Sequence, residues 1–226
     1  MADEMLEIPA DRLVVDVWSD VMCPFCYMGD TLLAEAIAEF PHADRVDVRY
    51  HSYLLSPELP QGEEMNANEL LVRTKGWSPA QAEQMNEHVT ERAAQIGLDY
   101  RMHDSLATNM RDAHRLSHFA AEHGKEHAMI VRLFEAYFRD GRSVGRHESL
   151  ADLAAEVGLD RDAALAALES DAYADAVDRD IETARRIGVQ GVPFFVFQGK
   201  FAVSGAQPAE VFGQALAAGW AEVAAK

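Results

Sequence analysis

Both cysteines of this chain lie three residues apart, in the segment SDVMCPFCYMGD that spans residues 19–30. In a helix, side chains at this spacing share nearly one face, within reach of a disulfide bond. Pro24 suits the first helical turn, where its missing N–H costs no hydrogen bond. Cys23 would then cap the helix beside free backbone N–H groups, which favour its thiolate. Cys26, one turn later, would be more buried and could resolve a mixed disulfide formed at Cys23.

Two other roles are open for the cysteine pair. A structural zinc site needs four ligands, and histidines would have to supply the rest because there is no further cysteine. The pairs His114 with His118 and His123 with His127 have helical spacing, but they lie far along the chain, and we interpret them as polar helix positions. Within them, His114 has apolar neighbours, so we interpret it as a packing or hydrogen-bonding residue of the helical block. The cysteines could also be small core residues without chemistry. A redox pair directly after a strand is the interpretation we favour, and we expect no metal site.

Composition narrows the range of partners. The chain has 226 residues, 49% hydrophobic and 26% charged, with a formal net charge of −18 at pH 7. Such an excess of carboxylates repels nucleic-acid phosphates and anionic lipids, so neither nucleic acid nor a membrane surface is an expected partner. Residues 1–12 lack a basic region followed by an apolar run, and no stretch reaches the length of a membrane span. We therefore expect a cytoplasmic protein.

The cysteines follow directly on a predicted strand. LVVDVW, from Leu13, is apolar and β-branched, as is typical of a short buried strand. After Cys26, apolar residues recur at helical spacing up to Phe40, and Pro41 ends that helix. Alternating apolar residues in RVDVRYHSYLL then predict a second strand. The chain therefore opens as β-α-β, with the cysteines at a strand-to-helix junction.

A long helical block follows, with no convincing strand between about Glu63 and Asp171. Ser78 is a predicted N-cap, with Pro79 at the first helical position and Gln81 closing a capping box. Met85, Val89 and Ile96 would share one face of that helix. Glycines predict the breaks between the remaining helices, at 109–123, 126–139, 148–157, 161–169 and 172–187.

Strands return only near the end of the chain. VPFFVF and KFAVSG predict a hairpin that turns at Gln198-Gly199, and a helix follows from Pro208 to about Val223. The strands at either end are too few to form separate sheets. We therefore expect them to complete one sheet, with the helical block inserted between them.

A second motif, GVQGVPFFVF, places Val192 and Pro193 at the start of a strand. A strand that ends in C-P-x-C at a helix start, followed much later by G-V-x-G-V-P before a strand, resembles the thioredoxin superfamily. The inserted helices resemble its DsbA-like branch, and NMRDAHRLSHFA and LFEAYFRDGR are similar to segments of the FrnE-like subgroup. The resemblance covers nearly the whole chain.

The resemblance implies an α/β class with a thioredoxin-like fold, whose β-α-β and β-β-α halves form one sheet. Residues 1–62 and 171–226 would be its two halves, and residues 63–170 the inserted all-helical domain. It also implies that Cys23 is the nucleophile and Cys26 the resolving thiol. The Val192-Pro193 bond would be cis beside them, and Val192 would pair with an extended substrate as an added strand.

Phe25 departs from DsbA itself, which has histidine within this motif. A phenylalanine gives the thiolate neither a hydrogen bond nor positive charge, so a strongly oxidising character is not implied. We expect Phe25 to stay exposed and to contact substrate through its apolar ring.

The sequence therefore predicts a thiol-disulfide oxidoreductase that needs no metal or organic cofactor, with a protein or small-molecule thiol or disulfide as substrate and glutathione as a candidate co-substrate. In a reducing cytosol, reduction or isomerisation is easier to sustain than net oxidation. Two alternatives remain. One is a glutathione-dependent isomerase or transferase resembling hydroxychromene-carboxylate isomerases and kappa-class glutathione transferases, which typically carry serine at the position of Cys23. The other is a redox-responsive chaperone or interaction protein.

Overall fold

A four-stranded mixed sheet lies at the centre of the computed structural model, which describes residues 9–225. The predicted absence of a signal rests on residues 1–12, most of which lie outside the described part. The strands of this sheet are β1 (Leu13–Ser19), β2 (Val46–Ser52), β5 (Phe194–Phe197) and β6 (Phe201–Ser204). The strand order is β2-β1-β5-β6, with β1 parallel to β2 and antiparallel to β5. Strands from both ends of the chain thus share one sheet, as predicted.

Strand β1 is the central element, and all of its residues are buried. Alternate side chains point to opposite faces of a sheet, so β1 contributes to two different layers. Leu13, Val15 and Val17 pack on one face against α1 (Pro24–Glu39) and α9 (Ala209–Ala224). On the other face, Trp18 packs against Ala184 of α8 (Ala174–Ile187). This burial on both faces explains the nearly continuous apolar run.

The helical block is confirmed, with additions that the pattern does not show. Between α1 and α8 the described chain forms α2 (Ala67–Lys75), α3 (Pro79–Ala94), α4 (Arg111–Glu122), α5 (Glu126–Phe138), α6 (His147–Glu156) and α7 (Arg161–Glu169). Helix α2 is missing from the predictions. Two short antiparallel strands, β3 (Met65–Asn66) and β4 (Leu106–Ala107), also contradict the expectation that this block has none. Two-residue strands are too short to show an alternating pattern.

Helix α3 confirms one local prediction and corrects another. The Ser78 hydroxyl accepts a hydrogen bond from the Gln81 N–H, and the Gln81 side chain accepts one from the Ser78 N–H. The predicted apolar face is wrong at Met85, which is 42% exposed. The buried stripe instead contains Ala82, Asn86, Val89 and Ala93. Small and polar residues form most of that stripe, so apolar spacing alone does not locate it.

A shared core joins the cysteine helix to the helical block. Cys23, Cys26 and Met28 lie in one cluster of buried residues with Leu116 of α4 and Phe134 of α5. The cysteines therefore lie where the sheet layer meets the helices, although the boundaries at 62/63 and 170/171 stay a prediction. No helix in the described residues is long and apolar enough to cross a membrane.

Candidate active site

Cys23 is the N-cap of α1, as predicted, and its backbone is extended at φ −86° and ψ 112°. Pro24 occupies the first turn. The Cys23 N–H donates to the Asp20 carbonyl at 3.0 Å, and the Cys26 N–H donates to the Cys23 carbonyl at 3.0 Å. These bonds turn the chain from β1 directly into the helix and place both cysteines at its first turn.

Both cysteines are free thiols and both are buried, Cys23 at 5% and Cys26 at 2% exposure. The Cys26 sulfur accepts a weak hydrogen bond from the Asp20 N–H at 3.5 Å. Burial, followed by the neighbouring Cys23, raises the pKa of the Cys26 thiol well above its ordinary value. Cys26 is therefore held as a thiol, as suits the residue that acts second.

The two sequence motifs meet in space. The Val192-Pro193 peptide bond is cis, which confirms the prediction. The Cys23 thiol lies 3.5 Å from the Val192 carbonyl oxygen, to which it can donate a weak hydrogen bond. The Pro193 carbonyl accepts from the Gly205 N–H at 2.8 Å, which fixes the chain after β6 against the proline. The bend at residues 191–193 thus lies directly beside the cysteine motif.

Phe25 is placed differently from the prediction. Its side chain is half-buried against the shared core, and the Arg92 guanidinium lies 5.4 Å from the centre of its ring. The same guanidinium donates to the Ala206 carbonyl at 2.7 Å. The expectation of an exposed Phe25 is wrong because α3 lies over the motif. Positive charge beside the motif comes instead from a distant part of the chain.

Tyr100 is another site residue that the sequence does not reveal. Its hydroxyl donates to the Pro24 carbonyl at 2.7 Å, and its ring stacks on Phe138 at 4.6 Å between centroids. It thereby anchors the first turn of α1 to the helical block. Neither Tyr100 nor Arg92 belongs to a motif, and no local pattern in the sequence distinguishes them.

A buried ionic network lies under the sheet. His51 of β2 contacts Asp16 at 2.8 Å and Asp180 at 3.1 Å. Burial alone would lower the pKa of His51, but hydrogen bonds to the two carboxylates outweigh it and raise the pKa to about 9. Asp180 also contacts His118 at 3.0 Å. Burial would raise the pKa of Asp180, but the hydrogen bonds from the two histidines hold it far below its ordinary value.

His114 is buried, at 6% exposure, which agrees with our interpretation of it as a packing residue. Its Nε2 lies 3.7 Å from an oxygen of Asp20, too far for a good hydrogen bond. Asp20 is itself held by the N–H groups of Met22 and Leu55, at 3.2 and 2.7 Å. The carboxylate therefore shapes the turn that precedes Cys23.

The second histidine pair is divided between two roles. His123 bonds to the Phe119 carbonyl within its own helix, whereas His127 contacts Asp30 of α1 at 3.2 Å. Within residues 9–225, no group of three or more histidine, cysteine or carboxylate side chains is arranged to hold a metal ion.

Comparison with known proteins identifies the family. Residues 14–217 match the family model of the DSBA-like thioredoxin domain. The chain belongs to this DsbA-like family. A solved structure of a probable DsbA oxidoreductase from Streptomyces coelicolor is 39% identical to this DsbA-like chain, with a TM-score of 0.89 over 93% of this chain and 91% of that one. YwbO of Bacillus subtilis, an uncharacterized protein, is 28% identical over 205 residues, covering 89% of this chain and 94% of YwbO.

Two more distant solved structures share the fold with this chain. A 2-hydroxychromene-2-carboxylate isomerase is 18% identical, with a TM-score of 0.67 over 92% of this chain and 95% of its own. The cytosolic disulfide reductase DsbM of Pseudomonas aeruginosa is 19% identical, with a TM-score of 0.57 over 94% of this chain and 97% of the DsbM chain. The thioredoxin-like fold with many helices is thus shown, and one fold carries different chemistries in these proteins.

Proposed function

We propose that this protein is a thiol-disulfide oxidoreductase of the FrnE-like type, which exchanges disulfides through Cys23 and Cys26. The observation that carries the proposal is the position of Cys23, which is the N-cap residue of α1 and faces the Val192 carbonyl beside Pro193. A dithiol at a helix N-terminus supplies a nucleophile and a second thiol one turn away. The alternative of a glutathione-dependent isomerase or transferase needs no resolving thiol, so it leaves the presence of Cys26 unexplained.

In the reductive direction, the Cys23 thiolate attacks one sulfur of the substrate disulfide. A bond forms between Cys23 and that sulfur, and the other substrate sulfur leaves as a thiolate and takes up a proton. Cys26 then loses its proton and attacks the Cys23 sulfur, which releases the second substrate thiolate. The substrate gains two electrons and two protons, while Cys23 and Cys26 become a disulfide. Two molecules of a thiol reductant such as glutathione return the pair to the dithiol.

The neighbouring residues have proposed binding roles. In the described part of the chain, the Val192 N–H donates to no protein acceptor, so it is available to an extended substrate segment. Such a segment would add to the protein as a strand beside Pro193. Pro24 keeps the first turn of α1 without an unused N–H, and we assign the partly exposed ring of Phe25 to an apolar contact with substrate.

The proposed partners are protein or small-molecule thiols and disulfides, with glutathione as co-substrate and no metal or organic cofactor. The net charge of −18 supports the exclusion of nucleic acid and membrane surfaces. We also propose a cytoplasmic location, where reduction or isomerisation is the sustainable direction. A DsbM structure contains glutathione, but its 20% identity to this chain shows the fold alone, so the co-substrate rests on the chemistry of the dithiol.

Reduction of insulin disulfides tests the proposal. The wild-type protein should accelerate turnover with glutathione as reductant, and Cys23→Ser should fall to the uncatalysed rate because the nucleophile is gone. The reduction rate of Cys26→Ser should fall at least about tenfold, since no second thiol can release the substrate from the mixed disulfide. Near wild-type turnover by Cys26→Ser would favour a glutathione-dependent isomerase or transferase. Suppression of insulin aggregation without disulfide turnover, in all three proteins, would favour a chaperone.

A further inference from the structure

Arg92 bridges two segments that border Cys23. It belongs to α3 of the helical block, yet its guanidinium lies over the ring of Phe25, two residues beyond Cys23. The guanidinium also donates to Ala206, whose neighbour Gly205 is hydrogen-bonded to Pro193. The Arg92 guanidinium thus lies between the CPFC motif and the segment after β6.

The charge of Arg92 is available to a ligand. The residue is exposed, and in the part of the chain that the structure describes it forms no ion pair. By contrast, Arg111, Arg115 and Arg132 each bind carboxylates of this chain. A guanidinium carries five N–H donors, and the Ala206 carbonyl uses one of them. The remaining donors form a planar fork that matches a carboxylate.

From these contacts we propose that Arg92 binds a carboxylate of the thiol or disulfide substrate, and thereby selects anionic substrates. This deepens the proposed function and rests on it. The whole chain carries a net charge of −18 and repels anions, so an anionic substrate needs a local cation to be held at the site. The Phe25 ring lies beneath the guanidinium and orients it by a cation–π contact. This contact uses the face of the guanidinium, so the N–H groups at the guanidinium edge stay open to a ligand.

A purely structural role is the competing explanation. Arg92 could do no more than hold α3 against Phe25 and Ala206, in which case its removal would slow every substrate alike. A binding role predicts that the effect depends on the charge of the substrate. Arg92→Gln removes the charge and keeps an amide donor, whereas Arg92→Lys keeps the charge and loses the planar fork.

The kinetic test compares kcat/KM for three disulfides that undergo the same exchange: anionic glutathione disulfide, neutral 2-hydroxyethyl disulfide and cationic cystamine. In Arg92→Gln, the ratio of glutathione disulfide to 2-hydroxyethyl disulfide should fall about tenfold or more, as expected for a lost charge-assisted hydrogen bond. The ratio of cystamine to 2-hydroxyethyl disulfide should stay level or rise. Arg92→Lys should show an intermediate ratio. The control Arg179→Gln removes an exposed cation from α8 and should move each ratio less than about twofold.

Insulin serves as a protein disulfide and identifies the source of the carboxylate. If Arg92→Gln lowers kcat/KM selectively for glutathione disulfide, the bound carboxylate belongs to a small thiol substrate. If it lowers kcat/KM selectively for insulin relative to 2-hydroxyethyl disulfide, the carboxylate belongs to a protein substrate. Equal losses for all disulfides, or unchanged ratios, would overturn the proposal.

A binding measurement separates this proposal from the function on which it rests. S-methylglutathione keeps both carboxylates but cannot exchange disulfides, so its affinity does not depend on the redox reaction. Titration calorimetry should show binding to the wild-type protein and a Kd raised about tenfold or more in Arg92→Gln. Binding without disulfide turnover would contradict the oxidoreductase and keep the Arg92 site. Turnover together with equal affinities and unchanged ratios would contradict the Arg92 site alone.

Discussion

At the scale of single residues, the two thiols of the CPFC motif are held by different neighbours. Cys23 faces the Val192 carbonyl, at the edge where a substrate strand could lie, whereas Cys26 accepts a hydrogen bond from the Asp20 N–H inside the turn. Burial, followed by the neighbouring Cys23, raises the pKa of Cys26 and favours its protonated form. This asymmetry supports the order in which we propose that the two residues act.

Trapping of the covalent intermediate tests that order directly. Cys26→Ser should accumulate a mixed disulfide at Cys23 when incubated with glutathione disulfide, because no second thiol can release it. Intact mass spectrometry should show a glutathione addition that disappears with reductant. Cys23→Ser is the matched control and should accumulate little or no adduct, since Cys26 is buried and held protonated. Equal trapping by both variants would refute the assignment of roles.

At the scale of elements, the site depends on close contact between α1 and β5. A Cβ at Gly29, in the second turn of α1, would lie 3.0 Å from Phe195 and 3.0 Å from Pro193. The absence of a side chain there lets the helix lie directly on the strand that carries the proline. The position of the cysteines relative to Val192 therefore depends on a residue that performs no chemistry.

Gly29→Ala should destabilise the protein, by about 1–3 kcal/mol of overpacking partly offset by better helix propensity. Gly213→Ala is the matched control, because Gly213 also lies within a helix but a Cβ there meets nothing within 4 Å. The free energy of unfolding of that variant should rise by about 0.5–1 kcal/mol. Urea unfolding followed by circular dichroism gives both values. A Gly29→Ala protein as stable as Gly213→Ala would show that the contact adapts without cost.

At the scale of the whole molecule, the buried ionic network connects the sheet to helices on its far side. Asp16 comes from β1, His51 from β2, His118 from α4 and Asp180 from α8. Burying such charges is costly, and removal of one partner leaves another charge unpaired. We therefore expect these four elements to respond together when His51 changes its protonation state.

The free energy of unfolding should fall as the pH rises through about 9, because folding raises the pKa of His51 to that value. The bound proton contributes fully below the ordinary pKa near 6.5, and its loss removes on the order of 3 kcal/mol. Denaturant unfolding between pH 6 and pH 10, together with NMR titration of the His51 ring, measures this effect.

Two variants separate His51 from other titrating groups. Glu126, whose pKa burial raises to about 7, also titrates in this range, and the Cys26 thiol ionises there more readily in the unfolded chain than in the folded one, so the difference between proteins is the informative quantity. His51→Gln should be about 3–5 kcal/mol less stable at neutral pH, because Asp16 and Asp180 lose their partner. It should also lose much of the decline towards pH 9, whereas His88→Gln, at an exposed position, should keep it. Parallel curves for wild type and His51→Gln would contradict the network's role.

The sequence by itself determined those features that depend only on residues close together in the chain. The structure confirms several features that follow from local geometry. They are the position of Cys23 and Cys26 around Pro24, the capping box at Ser78, the hairpin at Gln198-Gly199 and most helix boundaries. The resemblance carried by the two motifs supplied the fold and the cis bond at Pro193. These predictions succeed because a few residues in sequence are enough to specify a turn, a cap or an amphipathic face.

Only the tertiary structure decided which distant side chains meet at the site. The contacts of Arg92 with Phe25, of Tyr100 with Pro24 and within the His51 network join residues far apart in the chain, and no periodic or motif signal indicates these pairings. The same limit hides β3 and β4, which are two residues long. Helix α2 is different, because it begins at the Asn66 cap and ends at Gly76, which are local signals that the prediction missed. A local pattern specifies the face of an element, but which other element covers that face is set by the folded chain as a whole.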